Sequence, residues 1–368
     1  MITDGVGEPD HQRARRRAGI TRRRLFALAA GAGGALALGA TTAAHATTTD
    51  AGTYLPPATG PWQTADPAEN GWDVEALEAA LELAGQRESE SLIVVERGRI
   101  LAERYWNGAD ASSAIDVASV QKSVVAMLFG VLASSTALRP ADPVSTWLGP
   151  GWSAAGDAEA AITCRHLLTM TSGLDENLEF AAEPGTVWSY NTPAYGTLQQ
   201  VLEAASGQSL QDFSSEALFA RIGATAAWYT RSSPNNAEQG LLASARDLAR
   251  LGLLMLAGGE WEGDRIMPLV WRDRMLEPSQ NLNPAYGRLW WLNGQDSYLL
   301  PDDTAPRSGP LIPAAPADLA AAFGSGVQRL YLVPSRHLVV IRLGEAPGGP
   351  RLGFDRDLWE ALAPALPV

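Results

Sequence analysis

One lysine stands out in this 368-residue chain, because every other side chain among its 28 lysines and arginines is arginine. Arginine cannot lose its proton in a protein, whereas a desolvated lysine can do so near neutral pH. The lysine, Lys122, follows Ser119 by three residues, and residues three apart share one face of a helix. The spacing therefore predicts a serine hydroxyl beside an amine that serves as its base, as in an activated nucleophile.

The residues after Ser119 predict the helix that would hold this pair. Residues 120–132 are apolar nearly all round, which indicates a helix buried between layers rather than one at the surface. Ser119 would open this helix, where free backbone N–H groups and the helix dipole favour a developing negative charge. The alternative, a solvated lysine beside an N-cap serine, is disfavoured by the apolar helix that follows.

Other catalytic designs fit the composition poorly. Beyond residue 46 only His166 and His337 remain, too few for a histidine-based zinc site. No Gly-x-Ser-x-Gly sequence occurs, so a Ser-His-Asp hydrolase built on a nucleophile elbow is disfavoured. Cys164, the single cysteine, lies in an apolar stretch that predicts a buried structural thiol. We therefore expect no metal ion and no organic cofactor.

Residues 1–46 have the composition of a twin-arginine export signal. Seven arginines precede an apolar run over residues 25–38, and Ala44-His45-Ala46 offers a small-x-small cleavage site. The run is too short to span about 30 Å of hydrocarbon. We expect an exported protein, periplasmic or extracellular after cleavage near Ala46, with no stable membrane anchor.

The charge of the remaining chain limits its partners. Cleavage after Ala46 would leave 21 basic and 38 acidic residues, a formal charge of −17. Such a surface repels nucleic-acid phosphates and anionic membranes, so neither is an expected partner. A small-molecule substrate is expected instead, and the oligomeric state stays open.

Strand patterns at both ends of the chain enclose helical patterns. Hairpins are predicted from residues 91–95 with 100–105 and from 328–333 with 337–342, and further strands at 286–293 and 318–324. Helices are predicted at 74–84, 120–132, 163–170, 193–205, 209–221, 244–257, 268–276 and 358–366. The order predicts an α/β protein with one antiparallel sheet closed by both termini and a helical insertion.

The chain resembles the serine β-lactamase-like hydrolases, which include class C β-lactamases, D,D-peptidases, esterases and the 6-aminohexanoate-dimer hydrolase. The resemblance covers roughly residues 75–365. It is carried by residues 91–135, by RHLLTMTSGL at 165–174, by PGTVWSY at 184–190, by residues 240–258 and by Trp290-Trp291. It implies a β-lactamase-like fold, with an antiparallel sheet flanked by helices, a separate α-helical domain and an active site between them.

The composition of residues 1–70 and the resemblance together predict a division of the chain. The predicted parts are a signal peptide (1–46), a linker (47–70), an α/β sandwich domain (71–118 with 286–368) and a helical domain (119–285).

The remaining site residues follow from the family motifs. Tyr190 falls on the first position of the second motif, Tyr-x-Asn, but Asn191 and Thr192 follow it, so the polar third member is either Thr192 or a displaced Asn191. The third motif is neither Lys-Thr-Gly nor His-x-Gly, and the best candidate strand ends at Gly324, before Ser325. A plain β-edge of Gly and Ser is the alternative.

The predicted function is a serine acyl hydrolase that works through an acyl-enzyme on a small ester or amide. Lys122 would take the proton of Ser119, Tyr190 would relay a proton to the leaving group, and the backbone N–H groups of Ser119 and Ser325 would hold the oxyanion. One alternative is a β-lactamase or D,D-peptidase acting on cell-wall-like substrates. Another is an exported binding or sensor protein that is acylated without turnover.

Overall fold

The computed structural model describes residues 53–231 and 239–367. The predicted export signal, its cleavage site and the first part of the predicted linker lie outside the described residues. Among the residues that the structure describes, no helix is long and apolar enough to cross a membrane.

Thirteen strands and ten α-helices are assigned within the described ranges. The strands are β1 (Ser89–Glu96), β2 (Arg99–Tyr105), β3 (Ala114–Asp116), β4 (Ala227–Thr230), β5 (Gln239–Ser244), β6 (Glu260–Trp261), β7 (Asp264–Arg265), β8 (Trp291–Leu292), β9 (Ser297–Tyr298), β10 (Arg307–Ser308), β11 (Ala320–Gly324), β12 (Gln328–Val333) and β13 (Leu338–Gly344). The α-helices are α1 (Val74–Gln86), α2 (Val120–Ala133), α3 (Ser145–Leu148), α4 (Cys164–Leu168), α5 (Thr192–Ser206), α6 (Leu210–Ser214), α7 (Ala220–Ile222), α8 (Ala245–Leu256), α9 (Leu269–Met275) and α10 (Gly353–Leu362).

A six-stranded antiparallel sheet in the order β2-β1-β13-β12-β11-β8 forms the centre of the fold. Both ends of the described chain contribute to it: β1 from the start pairs with β13 from the end, and α1 packs against α10. Every residue of β12 and β13 is buried, as expected for strands covered on both faces. The predicted α/β fold with a sheet closed by both termini is confirmed.

Helix α2 is buried, as its nearly all-apolar sequence predicts. Its residues from Val120 to Leu132 are all buried. It packs against α5 and α9 and against strands β11 and β12 of the sheet. This position places the start of α2, at Ser119, beside the end of β11.

The segment 53–70, predicted as part of a linker, instead packs on the core. Trp62 is buried and its indole N–H donates to the carbonyl of Gly98 at 2.7 Å. Arg250 of α8 donates to the carbonyls of Pro56 and Pro57 at 3.1 and 2.8 Å. The buried indole ring of Trp62 and the hydrogen bonds from Arg250 to two carbonyls hold this Pro-rich segment against the sheet.

Two regions depart from their predicted secondary structure. The predicted strand 286–293 is reduced to β8, because Leu289 has a φ of 58° and the N–H of Gly287 bonds back to Trp290 at 2.8 Å, which turns the chain. Residues 119–285, predicted as helical, also hold β4 and β5 of a small sheet of order β3-β5-β4, and α8 packs on the central strands.

Candidate active site

Ser119 and Lys122 meet as their spacing predicts. Ser119 is the residue that precedes the first turn of α2, and Lys122 lies in that turn. The Nζ atom of Lys122 donates a hydrogen bond to Oγ of Ser119 at 3.0 Å. Lys122 is only 2% exposed. A neutral amine at this distance can accept the hydroxyl proton directly, so the pair is able to generate an alkoxide nucleophile.

A carboxylate that sequence reasoning missed fixes the turn before Ser119. Ala118 has a φ of 48°, a left-handed conformation that costs free energy in a residue with a β-carbon. Oδ1 of Asp116 accepts from the N–H of Ala118 at 2.9 Å, and Oδ2 accepts from the hydroxyl of Tyr229 at 2.6 Å. An aspartate that bonds the N–H two residues on is a common turn former, and this was the available sequence signal.

Aromatic rings surround the amine. Nζ of Lys122 lies 5.3 Å from the ring centre of Tyr190 and 4.5 Å from that of Tyr195. Tyr190 stacks on Trp291 at 6.1 Å, and Trp291 stacks on Phe323 at 5.7 Å. Tyr190, Trp291 and Phe323, here called the aromatic wall, thus form a continuous row of stacked rings that begins beside Lys122.

Four predicted site residues line one cavity of about 400 Å³: Ser119, Tyr190, Gly324 and Ser325. Trp291 and Phe323 of the aromatic wall also line it. A cavity of this volume, with apolar walls and few polar groups, is typical of a small-molecule site.

The absence of a side chain at Gly324 allows the end of β11 to pack against residues 117 and 118, which precede Ser119. A β-carbon at this position would lie 2.4 Å from the carbonyl oxygen of Val117 and 3.3 Å from the β-carbon of Ala118. The strand end therefore contacts the two residues that precede Ser119. Ser119 and Ser325 line the same cavity, and an oxyanion site built from two backbone donors requires such proximity.

The structure does not bring the polar residue of the second motif to the cavity wall. Oδ1 of Asn191 accepts from the N–H of Ala194 at 2.8 Å and so caps α5, while its amide donates to the carbonyls of Leu174 and Asp175 at 2.8 and 2.7 Å. Thr192 is the first residue of α5. Asparagine is a preferred N-cap residue, which accounts for its place here. Neither side chain is among the described residues that line the cavity.

Two arginines that sequence reasoning did not select line the cavity. Arg329 is buried and pairs with Asp355 at 2.6 Å, whereas Arg351 is half-exposed and pairs with Asp302 at 3.2 Å. A third arginine, Arg307, pairs with Asp303 and lines an adjoining cavity. Arg329 and Arg351 belong to no sequence motif, so only the folded structure identifies them as cavity-lining residues.

The remaining titratable candidates have structural surroundings. Burial raises the pKa of the Cys164 thiol to about 12, which keeps it protonated. Burial also lowers the pKa of His166, whose Nδ1 accepts from the N–H of Thr163 at 3.2 Å in the capping of α4. Within the described ranges, no group of three or more His, Cys, Asp or Glu side chains could hold a metal ion.

Comparison of the sequence with known proteins identifies a family and a relative. The Beta-lactamase family profile matches residues 74–363. A 6-aminohexanoate-dimer hydrolase from Paenarthrobacter ureafaciens is 23% identical over 286 residues, which cover 63% of this chain and 72% of that protein.

Solved structures with the same fold include three of comparable similarity. A β-lactamase from Mycobacterium bovis has a TM-score of 0.60 at 18% identity and covers 78% of this chain and 100% of its own. A penicillin-binding protein homologue from Caulobacter crescentus has a TM-score of 0.61 at 14% identity, with 79% and 98% covered. EstCE1, a hydrolase with promiscuous acyltransferase activity, has a TM-score of 0.62 at 16% identity, with 79% and 98% covered. The resemblance seen in the sequence motifs is confirmed, and the chain belongs to the Beta-lactamase family.

Proposed function

We propose that the chain is an exported serine hydrolase of the Ser-x-x-Lys type, which cleaves a small ester or amide through an acyl-enzyme. The observation that carries this proposal is the 3.0 Å hydrogen bond between the buried Lys122 amine and the Ser119 hydroxyl, at the wall of a cavity of about 400 Å³. A nucleophile, a base and a backbone oxyanion site within one cavity are the parts that acyl transfer requires.

In the proposed acylation step, neutral Lys122 takes the hydroxyl proton as Oγ of Ser119 forms a bond to the substrate carbonyl carbon. The carbonyl oxygen becomes an oxyanion, which the N–H groups of Ser119 and Ser325 stabilise. Collapse of this intermediate breaks the bond to the leaving group, and the Tyr190 hydroxyl passes a proton to the departing oxygen or nitrogen.

In deacylation, a water molecule replaces the leaving group. Its proton is taken up by the same Lys122 and Tyr190 pair as its oxygen attacks the acyl carbon. The bond between the acyl carbon and Oγ of Ser119 then breaks, Lys122 returns the proton to Oγ, and the acid product is released. No step requires a metal ion or an organic cofactor.

The cavity wall favours an uncharged substrate. The aromatic wall offers stacked apolar rings next to Ser119. The one half-exposed arginine among the described cavity-lining residues, Arg351, already has a carboxylate partner in Asp302. A substrate carboxylate would therefore have to compete with Asp302 for this guanidinium, whereas a neutral ester or amide would not.

A panel of substrates tests the proposal. The panel consists of p-nitrophenyl butyrate, a short p-nitroanilide, the 6-aminohexanoate dimer, nitrocefin and a D-alanyl peptide. We expect the neutral ester or anilide to have the highest kcat/KM. If nitrocefin or the D-alanyl peptide is cleaved fastest, the chain is a β-lactamase or D,D-peptidase. A burst without steady-state turnover on every substrate would identify an acylated sensor instead.

Export is proposed from the sequence of residues 1–46 alone. Expression of the full chain in a bacterium with an active twin-arginine pathway, followed by N-terminal sequencing of the exported product, tests it. We expect a product that begins near residue 47. Replacement of Arg22 and Arg23 by lysine should retain the protein in the cytoplasm with its signal uncleaved.

A further inference from the structure

Arg329 donates a hydrogen bond to the last residue of β11, the strand that precedes Ser325. It lies on β12 and is 4% exposed. One of its terminal nitrogens donates to the carbonyl oxygen of Gly324 at 2.7 Å and to that of Gln328 at 3.0 Å. Its other two nitrogens donate to the two carboxylate oxygens of Asp355 at 2.6 and 3.1 Å, which fixes the plane of the guanidinium.

The carbonyl of Gly324 and the N–H of Ser325 belong to the same peptide group. In a planar trans peptide the C=O and the N–H point in opposite directions. Arg329 holds the oxygen side of this peptide, so the N–H side faces away from the guanidinium. Gly324 and Ser325 both line the cavity that contains Ser119.

The hydrogen bond from Arg329 also changes the strength of that N–H as a donor. A charged donor on a carbonyl oxygen draws electron density through the peptide group, and hydrogen bonds in series strengthen one another. The bond from the guanidinium to Gly324 therefore makes the N–H of Ser325 a better donor to a negatively charged acceptor.

A second buried arginine holds the rest of this turn. Arg342, the β13 partner of Arg329, donates to the carbonyls of Gly326 and Val327 at 2.9 and 3.2 Å. Val327 has a φ of 64°, which is strained for a β-branched residue, so the turn needs such external support. Arg329 thus bonds the carbonyl that precedes Ser325, and Arg342 bonds two carbonyls that follow it.

We propose that Arg329 is a positioning residue for the oxyanion site: it orients the Gly324–Ser325 peptide and strengthens the Ser325 N–H as a donor. This inference rests on the proposed function, in which that N–H stabilises the oxyanion. Tyr331 supports the arrangement, because its hydroxyl donates to Asp355 at 2.7 Å and so helps to hold the carboxylate that orients Arg329.

The test removes the whole buried network so that no charge is left unpaired. The variant Arg329→Met, Asp355→Leu, Tyr331→Phe replaces it by apolar side chains, a change that buried ion pairs often tolerate. We expect kcat for p-nitrophenyl butyrate to fall about 10- to 100-fold, less than the roughly 10²- to 10³-fold loss on removing an oxyanion donor outright. KM should change little, because the lost interaction is made only in the transition state.

A sulfur substrate separates an oxyanion effect from a general structural one. Sulfur is a weak hydrogen-bond acceptor, so a thionoester gains less from the oxyanion site than the matching ester. The ratio of kcat/KM for ester over thionoester should fall in the triple variant. The single variant Arg329→Lys, which retains a charged donor, should restore part of this ratio. The control Arg250→Lys should leave the ratio at the wild-type value, because this buried arginine donates to the carbonyls of Pro56 and Pro57 and does not line the cavity.

The outcomes distinguish the inference from the function on which it rests. Absence of Ser119 acylation in the wild-type protein, measured by mass spectrometry after a fluorophosphonate or ester pulse, would overturn the proposed function. If Ser119 is acylated but the triple variant keeps the wild-type kcat, Arg329 has no positioning role. A lower kcat with an unchanged ester-to-thionoester ratio would also overturn the inference, since the loss would then not lie at the oxyanion.

Discussion

Gly324 and Val117 approach so closely that a β-carbon at position 324 would lie 2.4 Å from the Val117 carbonyl oxygen. The contact joins the end of β11 to the backbone that leads into Ser119. The nearest atom is a backbone oxygen and the next two are the β-carbons of Gln328 and Ala118, at 3.0 and 3.3 Å, so no flexible side-chain end can move aside. We therefore expect the absence of a side chain at Gly324 to determine how closely Ser325 approaches Ser119.

The variant Gly324→Ala should lower activity more than it lowers stability. Overpacking costs about 1–3 kcal/mol, and a displacement of about 1 Å at a reacting centre can reduce the rate about 10²-fold. We expect a folded protein with kcat reduced at least about tenfold. Gly353→Ala is the control, since its nearest contact is a proline side-chain carbon at 3.2 Å. Equal activity of the two variants would contradict this role of Gly324.

The variant Ser119→Ala should abolish hydrolysis and leave the fold intact. The Ser119 side chain makes no capping hydrogen bond to α2, so its removal costs the helix little. Fluorophosphonate labelling followed by peptide mapping checks the nucleophile directly. Ser123→Ala is the control on the same helix, where the hydroxyl donates to the carbonyl of Leu289 at 2.6 Å, and it should still be labelled at Ser119. Labelling of a different serine in the wild type would count against the assignment.

The variant Lys122→Arg should lose most activity although the positive charge remains. Arginine cannot take the proton of Ser119, so the contribution of general base catalysis, about 10²- to 10⁴-fold, should disappear. Lys122→Met, which keeps the length without the charge, should lose at least as much. Circular dichroism and melting temperatures show whether both variants fold. An active arginine variant would mean that Lys122 acts only through its charge.

The local features of the site were predictable from the sequence. The Ser119–Lys122 pair depends on helical spacing alone, and the burial of α2 depends on an apolar sequence without a polar face. The two hairpins, 89–105 and 328–344, follow from alternating or β-branched residues around short turns. Interactions between residues close in the chain leave a pattern that a single sequence displays.

The walls of the cavity were not predictable, because tertiary packing places them. Phe323 stacks on Trp291 and Arg329 pairs with Asp355 across 26 or more positions of the chain, and neither pair has a local pattern. The choice between Asn191 and Thr192 also depended on packing, since the Asn191 side chain is oriented by carbonyls 16 and 17 residues away.

The variant Asn191→Ala should destabilise the protein and largely spare catalysis. It removes the N-cap of α5, a loss of about 0.5–2 kcal/mol, and leaves the carbonyls of Leu174 and Asp175 without that partner. We expect a lower midpoint in urea unfolding and a kcat close to that of the wild type. A folded variant that loses activity would assign Asn191 to the reaction instead. Thr192→Ala provides the comparison for the other candidate of the second motif.

The variant Asp302→Asn should shift the enzyme toward anionic substrates. Arg351 lines the cavity, and its pair with Asp302 is exposed to solvent, with the aspartate side chain 88% exposed. Removal of the carboxylate leaves the guanidinium available to a substrate carboxylate. Exposed ion pairs are worth about 0.2–1 kcal/mol, so the kcat/KM of nitrocefin relative to p-nitrophenyl butyrate should rise by at most about fivefold.

The matched control is Asp264→Asn, because Asp264 is an exposed carboxylate that pairs with Arg221 and lines neither cavity. It should leave the substrate ratio unchanged. The gain in Asp302→Asn should shrink as salt is added, since ions screen an exposed charge over about 8–10 Å. An Arg351→Ala change in the Asp302→Asn background should remove the gain altogether. If the ratio does not rise in Asp302→Asn, or rises equally in Asp264→Asn, Arg351 does not select among substrates by charge.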